Sequence, residues 1–407
     1  MNSELKRKMV VLDDDPTGIQ TVHGCLLITE WTDDALHEAF RHEQPFFYIL
    51  TNTRAMTRQQ AEDITRDAME AVVRVNKEYG CQLTVVSRSD SCLRGHFPLE
   101  TDVISDVLRE NGIELWPRQI FCPALIEAGR VTIGGVHYMK AADGTLTPVS
   151  ETEFAHDNVF GYSTSVLRDY IREKGADPDK YEIIDAQNYD ELYAFCERLR
   201  KETDGFGGAV VIRSSSSLPR ALSGISSKPL LTRSALSIGD GVGCFVVGSH
   251  VKKTTLQLES LLKCEGTVGI ELPIDRILHD QENMMQETLE SMLTIANEHK
   301  TPVVFTARKE VRIDDPDERQ RLGQTVSDFL VDIVRRLPYQ PSYLVAKGGI
   351  TSHDILTHGL SVRTATVMGQ IISSVPCIMT TRFPYVIFPG NVGNEDSLSE
   401  IYCKLKA

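Results

Sequence analysis

Along this chain, short apolar runs stop abruptly at charged or small residues, and segments of helical periodicity follow them. The plainest case is VVSRSDSCLRGHFPLE, residues 85–100. Leu83, Val85 and Val86 read as a buried strand. Arg88, Asp90, Ser91 and Arg94 crowd into the turn behind it, and Gly95 follows. Pro98 suits a first helical turn, where its missing N–H would be unpaired anyway. In an open α/β sheet this order sets charge at the carboxyl end of a strand, where ligands bind. Two guanidinium forks beside a helix N-terminus suit an anion, a carboxylate or a phosphate. A salt-bridged surface turn would leave the same trace in the sequence.

The pattern recurs. Met9–Leu12 reads as a strand that ends in Asp13-Asp14-Asp15-Pro16-Thr17-Gly18; adjacent carboxylates need a cation, hydrogen-bond donors or full solvation. Cys25–Ile28 and Phe46–Leu50 are further strands, the second running into Thr51-Asn52-Thr53-Arg54. Arg58 to Tyr79 carries an apolar stripe at helical spacing. Gln119–Cys122 is a strand, and the glycines between Gly129 and Pro148 suggest a hairpin or loop excursion. Helices are expected at Tyr162–Glu173 and Asp190–Lys201, with strands at Ile183–Asp185 and at Ala209–Ile212, which leads into Arg213 and Ser214–Ser217. From Ser216 to Gly243 periodicity fades, and a domain boundary is placed there, between residues 235 and 236. The second half repeats the theme: strands at Cys244–Val247, Val268–Leu272, Val303–Thr306 and Tyr343–Ala346, helices at Gln281–Lys300 and Glu318–Leu337, and closing strands at Ala365–Val367, Cys377–Thr380 and Tyr385–Phe388. The expected fold is α/β, with two domains, each a mostly parallel sheet flanked by helices, and a ligand cleft between them.

A length of 407 residues accommodates two such domains. A net charge of −14 argues against a nucleic-acid or acidic-membrane partner, since both need a basic face. Nine scattered cysteines without a C-x-x-C pair fit reduced thiols in a cytoplasm. No signal-like N-terminal stretch and no apolar run of about 18 residues is present, so a cytoplasmic protein without a membrane span is expected. His23, His96, His250 and His353 lack the paired spacing of a metal site.

Three strand-end turns in the second half consist of small residues: Gly248-Ser249, Gly348-Gly349-Ile350-Thr351 and Pro389-Gly390-Asn391-Val392-Gly393. Glycine lets backbone N–H groups approach a ligand closely, and a following helix favours anions. Together they suggest a site for a nucleotide di- or triphosphate, without a Walker or protein-kinase signature. The first half supplies the complementary set, Asp13, Asp14, Asp15, Arg54, Asp90 and Arg94: arginines to hold a substrate carboxylate, aspartates to orient or deprotonate a hydroxyl.

These motifs, in this order, make the chain resemble the four-carbon acid sugar kinases over nearly its full length. The resemblance rests on Asp13–Gly18, on Ser89-Asp90-Ser91-Cys92-Leu93-Arg94-Gly95, on Gly248-Ser249 with Thr254, on Gly348-Gly349-Ile350-Thr351, and on the Pro389–Gly393 turn before Asp396 and Leu398. It implies an acid-sugar domain over residues 1–235 and a nucleotide domain over 236–407. It also implies ATP-dependent phosphorylation of a threonate-, erythronate- or 3-oxo-tetronate-type acid, with ATP and Mg²⁺. Asp14 and Asp90 would be catalytic, and Asp13, Asp15, Arg54, Ser91, Arg94 and Gly95 would bind substrate. Ser249, Thr254, Gly348, Gly349, Ile350, Thr351, Gly390, Asn391 and Gly393 would line the nucleotide. Metal ligands stay unassigned, and a homodimer is left open. The chain departs from the family pattern at Ile350, where an acidic residue is usual, at Phe388, where lysine is usual, and at His96, where asparagine is usual. Two other readings compete: a phosphatase using Asp13 as nucleophile and Asp15 as acid–base in Asp-x-Asp-x-Thr, and a non-catalytic binder of sugar acids.

Overall fold

Burying runs such as Phe46–Leu50 on both faces requires helices above and below a parallel sheet, and the protein is built that way twice. The computed structural model describes residues 6–308, 315–390 and 392–406. The chain divides into two compact units, Met1–Ser227 and Lys228–Ala407, a little before the boundary read from sequence.

In the first unit the strands are β1 (Arg7–Asp13), β2 (Leu26–Ile28), β3 (Phe46–Leu50), β4 (Gln82–Arg88), β5 (Gln119–Cys122), β9 (Tyr181–Ile183) and β10 (Val210–Ser214). They lie in the order β2-β3-β1-β4-β10-β5-β9, and every pairing among them is parallel. All their carboxyl ends therefore share one edge. The excursion between Gly129 and Pro148 is a separate antiparallel sheet, β6 (Arg130–Ile133), β7 (Val136–Lys140) and β8 (Leu146–Pro148). Helices α1 (Asp33–Arg41), α2 (Arg58–Tyr79) and α3 (Leu99–Glu110) cover the main sheet around a core that includes Val10, Phe47, Ile49, Val72 and Ile104. A second core of Leu93, Phe97, Phe121, Val149 and Tyr170 packs under the accessory sheet with α4 (Leu167–Glu173). Helices α5 (Tyr189–Glu202) and α6 (Ser217–Ser223) complete the unit.

In the second unit the strands are β11 (Cys244–Val247), β12 (Thr267–Leu272), β13 (Thr301–Thr306), β14 (Leu344–Lys347), β15 (Thr364–Ile372), β16 (Val375–Met379) and β17 (Pro384–Phe388), in the order β12-β13-β11-β14-β17-β16-β15. The first five in that order are parallel. The last two are added antiparallel. The helices are α7 (Lys252–Leu261), α8 (Ile274–His279), α9 (Gln281–Asn297), α10 (Pro316–Arg335), α11 (Gly349–Asp354) and α12 (Ser397–Leu405). No helix among the described residues is long and apolar enough to cross a membrane.

Local differences from the sequence reading have physical causes. The helix expected from Tyr162 begins only at Leu167. Residues ahead of it stay extended because Ser165 O and Gly135 O engage the N–H groups of His137 and Leu167 at 2.9 Å. Part of the stretch read as linker is α6, whose first residue, Ser217, is buried.

Helix α2 starts from a reciprocal cap. Thr57 Oγ1 accepts from Gln60 N, and the Gln60 side chain accepts from Thr57 N at 3.0 Å. Thr57→Ala is expected to cost about 1 kcal/mol in urea denaturation, and no change would show that the cap carries no weight.

Candidate functional site

The carboxyl edge of the first sheet concentrates charge because adjacent parallel strands end in register there. Asp13 pairs with Leu50 on β3 and with Arg88 on β4. Beyond the strands the backbone keeps the turns together: Asp14 N donates to Arg88 O at 3.2 Å, Arg54 N to Asp14 O at 3.3 Å, and Ser89 N to Ser214 O at 2.8 Å. Asp13, Asp14, Asp15, Arg54, Asp90, Arg94 and Gly95 thus come together, joined by Arg88, Glu100 and Arg213.

Each carboxylate has a different environment. Asp13 is fully buried, with Oδ1 accepting from Arg88 Nη1 at 3.0 Å. Its other oxygen has no hydrogen-bond partner and lies against Gly18, where a Cβ would come within 2.1 Å. Burial pushes its pKa up to about 7, against the pull of Arg88. Asp14 is also raised, by burial first, with Arg54 opposing. Ser89 Oγ donates to Asp14 Oδ2 at 2.5 Å, whereas Oδ1 is buried without a hydrogen bond, 3.6 Å from Arg88 Nη1 and 3.8 Å from Arg54 Nη1. For Asp15, burial is outweighed by Arg54, Arg88 and hydrogen bonds from Thr17, which hold it at about 2. For Asp90, burial is likewise outweighed, by Arg54 and Arg94, so it stays ionised. Arg94 Nε donates to it at 2.7 Å. The rest of the Arg94 guanidinium faces Asp157 at 3.8 Å and the Phe154 ring at 4.9 Å.

Gly95 is held at φ +123°, and a Cβ there would lie 2.3 Å from Ser89 Oγ and 2.8 Å from Arg213 Nη2, so glycine is required by both torsion and space. Leu93, at φ 66°, is a strained non-glycine residue. Its carbonyl accepts from Tyr170 Oη at 2.7 Å. Ser91 is buried and its carbonyl accepts from His137 Nε2 at 2.8 Å, so it supports the turn from behind. Burial lowers His137 to about 4, which keeps the ring neutral. His96 bonds the carbonyls of Thr53 and Met56 at 3.1 Å, a supporting role.

In the second unit β11, β14 and β17 are neighbours, so their small-residue turns meet. Gly248 N donates to Lys347 O at 3.2 Å and Gly348 N to Phe388 O at 2.9 Å. A Cβ on Gly248 would lie 2.2 Å from Thr351 Oγ1. Thr254 Oγ1 donates to Ser249 Oγ at 3.1 Å and reaches Gly390 O at 3.5 Å. Gly393 packs on Ser397 with φ 82°, and Gln257 Nε2 ties the carbonyls of Val392 and Asn394 at 3.0 and 2.8 Å. Gly349 has open space where a Cβ would be, and Ile350 is 65% exposed. Asn391 lies outside the described residues. Arg308 and Lys347 join the turns although sequence reasoning did not place them there: Arg308 Nη2 donates to Ser249 O at 2.7 Å.

A sugar-binding N-terminal domain model matches residues 9–212, and a nucleotide-binding C-terminal domain model matches residues 244–398. The chain belongs to the four-carbon acid sugar kinase family. Two crystal structures share the fold. A Haemophilus influenzae protein is 16% identical, with 97% of this chain and 100% of that one covered at TM-score 0.66. A Salmonella typhimurium LT2 protein, described as a candidate tRNA synthase, is 18% identical, with 98% and 100% covered at TM-score 0.71. At such identities the likeness is one of fold alone. No curated protein matches.

The sugar-binding model thus covers the carboxyl-edge charges up to β10, and the nucleotide-binding model covers all three glycine turns. Glu100 and Arg213 were missed because each reads as ordinary within its element. Glu100 accepts from Thr53 Oγ1 at 2.6 Å, from Ser87 Oγ at 3.2 Å and from Arg213, binding β3, β4 and β10 to α3. Glu100→Ala leaves Arg213 buried and unpaired, and is expected to cost ~3–5 kcal/mol in denaturant titration. A loss below about 1 kcal/mol would mean that the pair is not structural.

Proposed function

We propose that the chain transfers the γ-phosphoryl group of ATP to a hydroxyl of a four-carbon sugar acid of the threonate, erythronate or 3-oxo-tetronate type. The observation that carries this reading is Asp14 Oδ1: a buried carboxylate oxygen without a hydrogen bond, made more basic by burial, and set between two guanidiniums in a sugar-binding domain. A carboxylate so placed can take the proton of a hydroxyl. The hydroxyl oxygen bonds to the γ-phosphorus, the bond from that phosphorus to the β–γ bridging oxygen breaks, the proton passes to Asp14, and ADP leaves. Asp90 is assigned to orientation instead, because its ionised carboxylate holds Arg94 and lies 3.7 Å from Arg54 Nη1. Arg94 and Arg54 keep guanidinium N–H groups beyond these contacts to grip the substrate carboxylate.

The glycine turns and hydroxyls of Ser249, Thr254 and Thr351 would seat the nucleotide. These turns carry no carboxylate, and no group of three or more His, Cys, Asp or Glu among the described residues is placed to hold a metal ion. The described residues therefore make no preformed Mg²⁺ site. The phosphatase reading needs Asp13 as nucleophile, and its two oxygens are taken up by Arg88 on one side and packing against Gly18 on the other, which weighs against that. A non-catalytic binder would have no use for a basic Asp14.

The test is ADP release with a panel of four-carbon acids and Mg²⁺·ATP. Asp14→Asn is expected to lower kcat by about 100-fold or more with the acid KM nearly unchanged. The parent rate should rise with pH as Asp14 loses its proton, and that limb should vanish in the variant. Arg94→Ala should raise the acid KM by ~10–100-fold. Turnover in Asp14→Asn within about threefold of the parent would remove the assigned base.

A further inference from the structure

We propose that Lys347, held against the Pro389–Gly390 turn, is a phosphate-binding residue of the nucleotide site; this rests on the ATP reading above. Lys347 is the last residue of β14 and is fully buried. Its Nζ donates to Pro389 O at 2.5 Å and to Gly390 O at 3.0 Å, and lies 3.8 Å from the centre of the Phe388 ring, its partner in register on β17. These are weak partners for an ammonium, which has three donors and prefers an anion.

Among the described residues, the elements around it supply no anion. The β11 turn contributes Ser249, whose Oγ would lie 3.8 Å from a Cβ on Gly390. The α7 helix contributes a second cation, Lys253, and α11 opens with Gly349, Ile350 and Thr351. The acid of α11, Asp354, is at its far end and accepts from Ser327 Oγ. Among the described residues Lys347 makes no ion pair. Burial first, and then Lys253, lower its pKa to about 7. A cation in such a place is offset when an anion arrives, and on the turn that follows it a Cβ at Gly349 would meet nothing within 4 Å. A phosphate oxygen would replace the turn carbonyls as partner and favour the charged form, so binding above neutrality draws a proton from solvent.

The experiment is calorimetric titration of the full chain with a non-hydrolysable ATP analogue, in buffers of different ionisation heat. At about pH 8.5 free Lys347 is neutral, so the wild type is expected to take up about one proton per nucleotide bound. Lys347→Arg should bind without proton uptake, because guanidinium stays charged. Lys347→Met should also lose the uptake, and bind ~10–100-fold more weakly. Unchanged uptake in Lys347→Arg, or its absence in the wild type, overturns the assignment while nucleotide binding itself stands. No binding of the analogue by the wild type overturns the nucleotide reading, and this proposal with it. Thermal melts identify a Lys347→Met chain that fails to fold; the wild-type and arginine arms then decide.

Discussion

Charge balance at the carboxyl edge of the first sheet governs that unit. Asp13, Asp14, Asp15, Asp90 and Glu100 face Arg54, Arg88, Arg94 and Arg213 in a region that is buried at Asp13, Asp14, Arg88, Glu100 and Arg213 and partly exposed at the rest. Five carboxylates against four guanidiniums cannot all be ionised cheaply where the dielectric is low. The shifts show how the excess is absorbed: Asp15 and Asp90 stay charged on Arg54, while Asp13 and Asp14 are pushed towards neutrality. A carboxylate of raised pKa is thus a product of the packing and needs no special residue type.

The second unit meets the opposite problem. Its turns bring together backbone amides, hydroxyls and a buried lysine, with no acid among them. Such a surface is short of negative charge, as a polyphosphate site should be. The two halves thus differ in charge as they differ in the domain models they match, sugar-binding in one and nucleotide-binding in the other.

Much of this was legible in the sequence because parallel strands buried on both faces are nearly continuous apolar runs. Phe46–Leu50, Gln119–Cys122, Cys244–Val247 and the helix Arg58–Tyr79 stand where periodicity places them. The Asp13–Asp15 and Arg88–Gly95 clusters were visible as charge at strand ends. What could not be read was which strands are neighbours. Only the order β3-β1-β4-β10-β5 brings Arg213 and Glu100, 113 positions apart, to one pair, and only β11-β14-β17 sets Lys347 beneath the Pro389 turn. Likewise Asp13 and Asp14 look equivalent in the sequence, and each keeps one oxygen without a hydrogen bond, but that oxygen lies against Gly18 in Asp13 and between Arg88 and Arg54 in Asp14.

The accessory sheet has a role that its position behind the site conceals. His137 on β7 holds the carbonyl of Ser91, Arg130 on β6 approaches Cys92 Sγ at 3.5 Å, and Tyr170 on α4 holds Leu93 in its strained conformation. The loop that aims Arg94 is thereby moulded by a module inserted between β5 and β9. Replacing or re-lengthening that module would re-aim the guanidinium without altering any residue of the charged edge. The direction of that guanidinium can therefore change through the insert alone, while Asp13, Asp14, Asp15, Arg54 and Asp90 stay as they are.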